Sequence, residues 1–284
     1  MPKPTIPLHE RYLHILASTT PYLLTFPGNL KYYNLRPFGI PIQKENLFDC
    51  TSQKNATFYD LLQRLDQISF GPVGMPMDKW VFYDCGEMPG GVFGFGIAAD
   101  KLPPEGRQAF LLDTRFAGYR GLVPIVMYIT IPFPKKGLWF GHNLSSAGKQ
   151  LGAMAFPGLG LFAKAMAIEV FKIKEMIGAT QWDSPSLNIH LQLSDMDILS
   201  AYTPAHTFPR TLTYRSTYTR TTQKRALSGK AREATAYDFL LLEDDEAKMI
   251  EIQNEIERRK TRFVIRGRPI QQGEKLAIPI SRLR

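Results

Sequence analysis

Residues 121–133 carry apolar side chains at both odd and even positions, in the order Gly-Leu-Val-Pro-Ile-Val-Met-Tyr-Ile-Thr-Ile-Pro-Phe. Successive side chains of a β-strand point to opposite faces of its sheet, so a strand of this composition buries both faces. Such a strand is central in its sheet, with other layers packed on each side. Pro124 marks its start, because proline is tolerated near the beginning of a strand. The segment therefore predicts a layered fold built around a sheet.

The length and composition are those of a globular protein with a sizeable core. The 284 residues are 44% hydrophobic and 21% charged, which excludes a collagen-like chain, a coiled coil and wholesale disorder. Two cysteines, Cys50 and Cys85, are too few for a secreted scaffold that depends on disulfides. Prolines near the N-terminus interrupt the apolar run that an export signal needs. We therefore expect a soluble protein of the cytoplasm. In the most apolar stretch, 151–171, Lys164 and Glu169 favour a buried helix over a membrane span.

Hydrophobic periodicity predicts helices and strands along the rest of the chain. The predicted helices are 9–18, 56–68 with Thr57 as N-cap, 161 to about 177, Ser184-Pro185 to about 191, and a charged helix over 243–260. The predicted strands are 79–85 and 91–98, which form a hairpin, then 179–182, 198–203, 207–218 and 262–265. Residues 134–160 are predicted to form a loop. These elements predict the class α/β (α+β), a mixed central sheet flanked by helices, with a helical C-terminal extension.

Composition predicts three segments: a proline-rich N-terminal wrap over 1–55, a core over 56–222 and a charged extension over 223–284. The net charge of +9 comes mostly from the C-terminal quarter, where the sign alternates. Residues 207–232 carry seven bases and no acid, 233–257 carry nine acids and one base, and 258–284 carry nine bases and one acid. No internal repeat is visible.

Two interpretations of these charge blocks remain open. The acidic block, predicted to be helical, folds back between the basic blocks and neutralises them. Alternatively, the segments 210–232 and 258–284 bind nucleic acid, with Arg215 and Arg220 contacting phosphates and Tyr214 and Tyr218 stacking on bases. The alternation of residue types over 211–216 is also typical of a half-buried strand.

The order of elements over roughly 56–218 carries a further indication. A hairpin, a long central strand, a loop that ends in Gly158-Leu159-Gly160, a long helix, a short strand, a short helix and closing strands follow one another. This order resembles the acyl-CoA N-acyltransferase superfamily, the Gcn5-related acetyltransferases. The resemblance implies acetyl-CoA or another acyl-CoA as cofactor and an amine as acceptor.

In that family, the strand before the long helix opens away from its neighbour and pairs with the pantetheine arm. Backbone amides of a glycine-rich turn hold the pyrophosphate, since a helix N-terminus offers unpaired donors and the positive end of the helix dipole. The resemblance therefore implies cofactor-binding roles for a turn and for the central strand, at Gly158, Leu159, Gly160, Leu161, Tyr128 and Ile129.

The glycine motif of this chain departs from the family pattern. The family has arginine or glutamine three residues before the first glycine, and Ala155 stands there when the glycines are aligned on Gly158 and Gly160. Alignment on Gly152 supplies Lys149 but puts Met154 at the second small position. A non-catalytic structural or interaction role therefore stays open beside the enzymatic one.

Acyl transfer to an amine needs a base for the amine proton and an acid for the departing thiolate. The predicted bases are Asp183 at the end of a strand, Glu87 in the hairpin turn and His142 in the loop after the central strand; the predicted acids are Tyr202 and Tyr214. The residues predicted to contact the acceptor are Asn143, Trp182 and His206. Each has a structural alternative, as a helix cap, a turn residue or a core aromatic.

Other phosphate and metal chemistry finds little support. Six residues separate Gly141 from Gly148-Lys149, where a P-loop has four, and Gly158-Leu159-Gly160 lacks the third glycine of a dinucleotide-binding turn. Histidines and cysteines are scattered singly, so no metal site is predicted. The oligomeric state and the acceptor are not indicated by the sequence.

Overall fold

The computed structural model describes residues 4–88, 90–230, 232, 235–258 and 261–283. The helices are α1 Glu10–Ser18, α2 Ala56–Phe70, α3 Lys79–Glu87, α4 Pro104–Ala109, α5 Leu159–Val170, α6 Pro185–Leu193, α7 Arg220–Leu227 and α8 Glu246–Glu257. The strands are β1 Thr20–Thr25, β2 Leu47–Asp49, β3 Gly91–Ala98, β4 Leu122–Pro132, β5 Leu138–Ser146, β6 Glu175–Gln181, β7 Met196–Ser200, β8 Thr211–Thr217, β9 Phe239–Leu242, β10 Arg262–Ile265, β11 Ile270–Gln272 and β12 Lys275–Leu283. Short 3₁₀ helices lie between them at Pro27–Tyr32, Pro37–Gly39, Lys44–Asn46, Gln53–Asn55, Gly71–Val73, Ala99–Lys101 and Gly148–Met154.

The chain divides into two compact units. The first comprises Met1–Phe133 and His142–Lys172, and the second comprises Pro134–Gly141 and Ile173–Arg284. The second half of β5 belongs to the first unit and the first half to the second. These boundaries are not the three segments expected from composition, which stay a prediction.

In the first unit, the strand order is β5-β4-β3-β1-β2. β3 runs antiparallel to β4 and to β1, and β1 runs parallel to β2. Residues 123–130 of β4 are all buried, and both α2 and α5 contact this strand. The prediction of a central strand buried on both faces is therefore confirmed.

In the second unit, the strand order is β5-β6-β8-β7-β10-β12-β11, and β9 pairs with β12. β5 and β6 are parallel, whereas β6, β8, β7, β10 and β12 pair antiparallel in that order. Helix α6 contacts β6, and α8 contacts β7 and β10. A buried cluster that includes Trp182, Leu212 and Ile278 forms the core under these helices. The predicted class, a mixed central sheet flanked by helices, is confirmed.

Several predicted elements are also confirmed. Helices α1, α2, α6 and α8 and strands β3, β4, β7, β8 and β10 lie where periodicity predicts them, apart from shifts at their ends. Ser184 caps α6 by accepting a hydrogen bond from the amide of Ser186 at 3.2 Å, and Pro185 opens the helix. The N-cap of α2 is Asn55 and not Thr57.

The predicted hairpin is wrong in its first strand, because Lys79–Glu87 forms helix α3. Phe82, Cys85 and Gly86 are buried at helical spacing, while Trp80 and Tyr83 are exposed. A short run rich in aromatic residues fits either a strand or an amphipathic helix, and burial on one helical face decides here.

The predicted loop before Gly158 is also wrong, because β5 crosses it and holds His142 and Asn143. The strand that precedes the long helix is therefore β5. Tyr128 and Ile129 lie on β4, one strand away from the position that the resemblance assigns to the pantetheine strand. Polar residues at 142, 143, 145 and 146 hide this strand from any pattern of apolar alternation.

The long helix is shorter than predicted, and the C-terminal extension is not purely helical. Helix α5 ends at Val170, Lys172 has a φ of 54°, and the predicted last turns are β6. A left-handed residue does not continue an α-helix. The extension adds β9 to β12 to its helices, and Pro279 inside β12 masks the strand signal in the sequence.

Within the described part of the chain, no single helix has the length and apolarity to cross a membrane. The helices Gly148–Met154 and Leu159–Val170 reach that length and apolarity only when they are taken together, and the angle between them is 114°.

Gly94 on β3 offers a test of the packing around β4. A Cβ atom there would lie 2.0 Å from the carbonyl oxygen of Val126 and 2.6 Å from the Tyr22 hydroxyl, which itself donates to that carbonyl. We predict that Gly94→Ala lowers the free energy of unfolding by about 1–3 kcal/mol or more, since the backbone has to move. Urea denaturation measures the effect. Gly71→Ala is the control, because a Cβ at Gly71 meets nothing within 4 Å. Equal stability of the two variants would contradict the packing described here.

Candidate functional site

The first turn of α5 has backbone donors without acceptors. Gly158 is the N-cap, with a φ of 83°, and no side chain caps the helix. The amide of Leu159 donates to the carbonyl of Phe156 and that of Phe162 to the carbonyl of Gly158, whereas those of Gly160 and Leu161 have no hydrogen-bond acceptor among the described residues. Together with the helix dipole, two free amides favour an anion at this turn.

Helix α1 packs against this turn. A Cβ at Gly158 would lie 3.2 Å from Cε1 of Tyr12 and 3.5 Å from Nε of Arg11. The Tyr12 ring is fully buried and lies 5.1 Å from the ring of Phe162 on α5. The left-handed backbone and the contact with Tyr12 together explain glycine at position 158. Gly160 remains partly exposed.

Arg11 places a positive charge beside the turn. Its Nη2 donates to the Tyr12 hydroxyl at 2.8 Å, and its guanidinium lies 4.7 Å from the centre of the Tyr12 ring. The Nε atom is buried and has no hydrogen-bond acceptor among the residues described. An arginine thus stands at the α5 turn, although Ala155 occupies the position where the family carries one. Sequence reasoning missed Arg11 because it lies in a different segment of the chain.

The alternative glycine, Gly152, has different surroundings. Its φ is 54°, and a Cβ there would lie 3.4 Å from the Oε2 atom of Glu105. A carboxylate at this distance repels a phosphate group. The turn at Gly158 to Leu161 is therefore the better anion site of the two.

The parallel pairing of β5 with β6 covers only the first part of β5. Its parallel pairing with β6 runs from Leu138 opposite Glu175 to Gly141 opposite Gly178 and ends there. Strand β5 continues to Ser146, and β6 continues to Gln181 in its pairing with β8. The pairing of β5 with β6 therefore ends at Gly141 and Gly178.

A buried carboxylate holds the second half of β5. Asp66 of α2 is fully buried and accepts hydrogen bonds from Asn143 Nδ2 at 2.7 Å, Ser145 Oγ at 3.3 Å and the amide of Met77 at 2.6 Å. Burial raises the pKa of Asp66, and the three donors act in the opposite direction. Asp66 thereby ties α2, the segment before α3 and β5 together. Sequence reasoning missed it because its position in α2 shows only a polar residue on a helix.

His142 lies beside Asn143 on β5, and neighbouring strand residues face opposite sides. The residue is exposed, and desolvation by the surrounding protein nevertheless lowers the pKa of His142. A lowered pKa favours the neutral imidazole at neutral pH, which is the form that accepts a proton.

The other predicted bases have different partners. Asp183 follows β6 and forms an ion pair with Arg210 at 3.1 Å, so it does not cap α6. Glu87 is the last residue of α3 and not part of a hairpin turn. Its interaction with the Tyr83 hydroxyl raises the pKa of that tyrosine. Catalytic roles for Asp183 and Glu87 stay predictions.

The predicted acids Tyr202 and Tyr214 lie in the second unit, as do two of the predicted acceptor contacts, Trp182 and His206. The Tyr202 hydroxyl donates to Glu246 Oε1 at 2.6 Å, and Tyr214 on β8 is buried, with a pKa raised well above its usual value by burial. Trp182 is fully buried, and its indole N–H donates to the carbonyl of Ala201 at 2.8 Å. His206 Nδ1 accepts from the amide of Phe208 at 2.9 Å in the turn between β7 and β8. Their proposed roles stay predictions.

Tyr128 and Ile129 on β4 are buried and pair with Phe93 and Val92 of β3. The ammonium of Lys164 on α5, which is fully buried, lies 5.5 Å from the centre of the Tyr128 ring. Burial lowers the pKa of Lys164 well below its usual value. These contacts are consistent with core positions for both tyrosine and lysine, and a cofactor contact of Tyr128 or Ile129 stays a prediction.

Many bases of the C-terminal quarter are paired with acids of the same unit. The ion pairs join Arg210 to Asp183, Arg232 to Asp195, Arg262 to Asp197, Lys275 to Asp244 and Arg282 to Glu255. Glu255 belongs to the acidic helix α8. The geometry thus favours internal neutralisation. In the part of the chain that the structure describes, no three His, Cys, Asp or Glu side chains are grouped to hold a metal ion.

Comparison with solved structures gives distant likeness alone. No family model matches the chain, and no curated protein matches it. A chain in the crystal structure of the NatC complex bound to Gag peptide and CoA matches with 11% identity and a TM-score of 0.41, covering 59% of this chain and 95% of that one. Likeness at this level establishes neither a fold nor an activity, so function has to rest on the elements and side chains described above.

We predict that Asp66→Asn lowers the free energy of unfolding by about 1–3 kcal/mol, because the amide nitrogen that replaces one carboxylate oxygen faces either the amide of Met77 or the side-chain donors of Asn143 and Ser145 and leaves them unsatisfied. Urea denaturation at neutral pH measures the change. The control is Asp60→Asn on the same helix, whose ion pair with Lys79 is partly exposed and contributes about 1 kcal/mol or less. A smaller loss of unfolding free energy for Asp66→Asn than for Asp60→Asn would show that Asp66 does not stabilise the fold as described.

His142 gives a prediction with a defined sign. Because its pKa in the folded protein lies below the unfolded value, the unfolded state binds the proton first as pH falls. The associated stability is present above the unfolded pKa of about 6.5 and is lost as pH falls through the lower folded pKa. We expect the wild type to lose stability relative to His142→Asn between pH 7.5 and pH 5, as measured by urea denaturation at each pH. A difference that stays constant, or grows in favour of the wild type, would show that the folded protein does not lower this pKa.

Proposed function

We propose that this protein is an acyl-CoA-dependent N-acyltransferase. The observation that carries the proposal is that the pairing of β5 with β6 ends at Gly141 and Gly178, while β5 itself continues to Ser146. A strand whose pairing stops while its backbone continues offers hydrogen-bonding groups to an extended ligand. The amide groups of a pantetheine arm have the right chemistry to pair with such a backbone.

The start of α5 supports the same proposal. The amides of Gly160 and Leu161 and the unsatisfied Nε of Arg11 surround one turn, and all three are donors. A diphosphate carries negative charge and several acceptor oxygens, so it fits this set. We propose that Arg11 supplies the positive charge that the family places three residues before its first glycine.

The chemistry requires a group that takes the amine proton. An acyl-CoA supplies an activated acyl carbon, whose carbon–sulfur bond breaks as the amine nitrogen forms the amide and the thiol leaves. We propose His142 as the base, because it lies on β5 and its lowered pKa favours the neutral imidazole. Asn143, which is bonded to Asp66, holds the strand in place from its other face.

The alternative of nucleic-acid binding by residues 210–232 and 258–284 is less well supported. The ion pairs of Arg210, Arg232, Arg262 and Arg282 place a carboxylate beside each of these bases. Phosphate contacts would have to compete with those carboxylates.

Isothermal titration calorimetry with acetyl-CoA and with CoA tests the proposal. We expect saturable binding to the wild type and an affinity lower by about tenfold or more for Arg11→Gln, because a hydrogen bond to a charged group contributes about 1.5–3 kcal/mol. The control is Arg36→Gln, an exposed arginine next to the segment that bonds the C-terminal end of α5 through Asn34. If neither acetyl-CoA nor CoA binds to the wild type, the cofactor assignment is overturned. If Arg11→Gln and Arg36→Gln bind with equal affinity, Arg11 does not contact the diphosphate.

A further inference from the structure

Two arginines from distant parts of the chain meet where β7 begins and β10 ends. The antiparallel register places Val264 opposite Asp197 and Ile265 opposite Met196. The next residue of each strand outward from this pairing is Arg266 on one side and Asp195 on the other. The register thus places Arg266, which follows β10, opposite Asp195, which precedes β7.

Arg232 approaches the same carboxylate from the segment after α7. It forms an ion pair with Asp195, and its Nη1 donates to the carbonyl of Leu191 near the C-terminal end of α6 at 3.0 Å. Only 10% of its side chain is exposed. Arg232 is therefore fixed in place by the last turn of α6 and by Asp195.

Arg266 has no comparable partner. Its amide donates to the carbonyl of Pro279, but its Nε is buried without a hydrogen-bond acceptor, and its guanidinium forms no ion pair with any residue the structure describes. A guanidinium keeps its proton in proteins, so it cannot escape burial by becoming neutral. Burial and the nearby charge of Arg266 also lower the pKa of Arg232. Repulsion between the two guanidinium groups thus adds to the effect of burial, and the described ion pair of Asp195 is with Arg232.

We propose that Arg266 and Arg232 form a binding site for a single oxyanion of the phosphate class. The planar guanidinium group presents parallel N–H donors that match the oxygens of a phosphate. A bound phosphate accepts from the terminal nitrogens of Arg266 and offsets the repulsion between the two positive charges. Asp195 is 46% exposed and Arg266 is partly exposed, so the cluster is open to a ligand from solvent.

The surroundings favour one terminal phosphate over a polyanion. Asp195 and Asp197 lie along the same strand end, and Asp197 is already bonded to Arg262 by both carboxylate oxygens at 3.0 Å. A nucleic-acid backbone that continued past Arg266 would meet these carboxylates. A free phosphate or a phosphate monoester places its charge at one point and meets one carboxylate, Asp195, which Arg232 already pairs.

The test compares thermal unfolding in inorganic phosphate and in sodium chloride at matched ionic strength. We expect phosphate to stabilise the wild type saturably, and Arg266→Gln to raise the apparent Kd for phosphate at least tenfold. In phosphate-free buffer, Arg266→Gln is expected to be at least as stable as the wild type, because it removes a positive charge that lies close to that of Arg232. The order of stability of the two proteins should therefore reverse when phosphate is added.

Three variants serve as controls. Arg262→Gln removes an exposed arginine from the same strand and should keep the phosphate response. Arg11→Gln removes the arginine beside α5 and should also keep it, which distinguishes this site from the proposed diphosphate site. Arg266→Lys keeps the charge without the planar group and should bind phosphate with intermediate affinity. If Arg266→Gln does not fold, the phosphate affinity of Arg266→Lys is compared with that of the wild type instead.

Two outcomes would overturn the proposal. One is an equal phosphate response in the wild type and both Arg266 variants, or an equal response to chloride, which would show a general salt effect. The other is binding of a single-stranded oligonucleotide that depends on Arg266 when phosphate gives no response, which would assign the cluster to nucleic acid.

Discussion

Burial of both faces of β4 is the constraint on which the first unit depends. Residues 123–130 leave no side of this strand for water, so helices have to cover it, and α2 and α5 both do. Helix α5 is buried on nearly all sides, including Lys164. Its aromatic contacts, from Phe162 to Tyr12 and to Phe95 at 5.1 Å each, fix the position of its first turn. The free amides of the candidate site are therefore held in place by core packing.

The candidate site combines segments that are far apart in the chain. Arg11 comes from α1, the unpaired amides from α5, and His142 from β5, whose polar side chains are satisfied by Asp66 of α2. Asp66 explains how a strand with so many polar residues remains ordered beside a core. A buried carboxylate with three donors is costly to disturb, so it defines the path of β5 more strictly than apolar packing does.

Charge in the second unit is organised by pairing. The acids of α8 and of the segment before it bind bases of β12, as Glu255 does with Arg282 and Asp244 with Lys275. Exposed pairs of this kind contribute little stability, but they decide which bases stay available to a ligand. Arg266 is left over from this pairing, and its burial distinguishes it from a solvated surface arginine.

The sequence by itself determined the central strand, several of the helices and strands around it, and the cap of α6. These follow from local patterns, namely an apolar run at every position and a Ser-Pro pair. Tertiary structure decided the helix at Lys79–Glu87, the end of α5 before Lys172 and the strand at Leu138–Ser146. It also decided the surroundings of the candidate site, because Arg11 and Asp66 acquire their contacts only when distant segments pack together, Arg11 against Gly158 and Asp66 against Asn143, which lies 77 residues further along the chain. Periodicity reports which side of an element is buried, and it carries no information about what a polar side chain meets there.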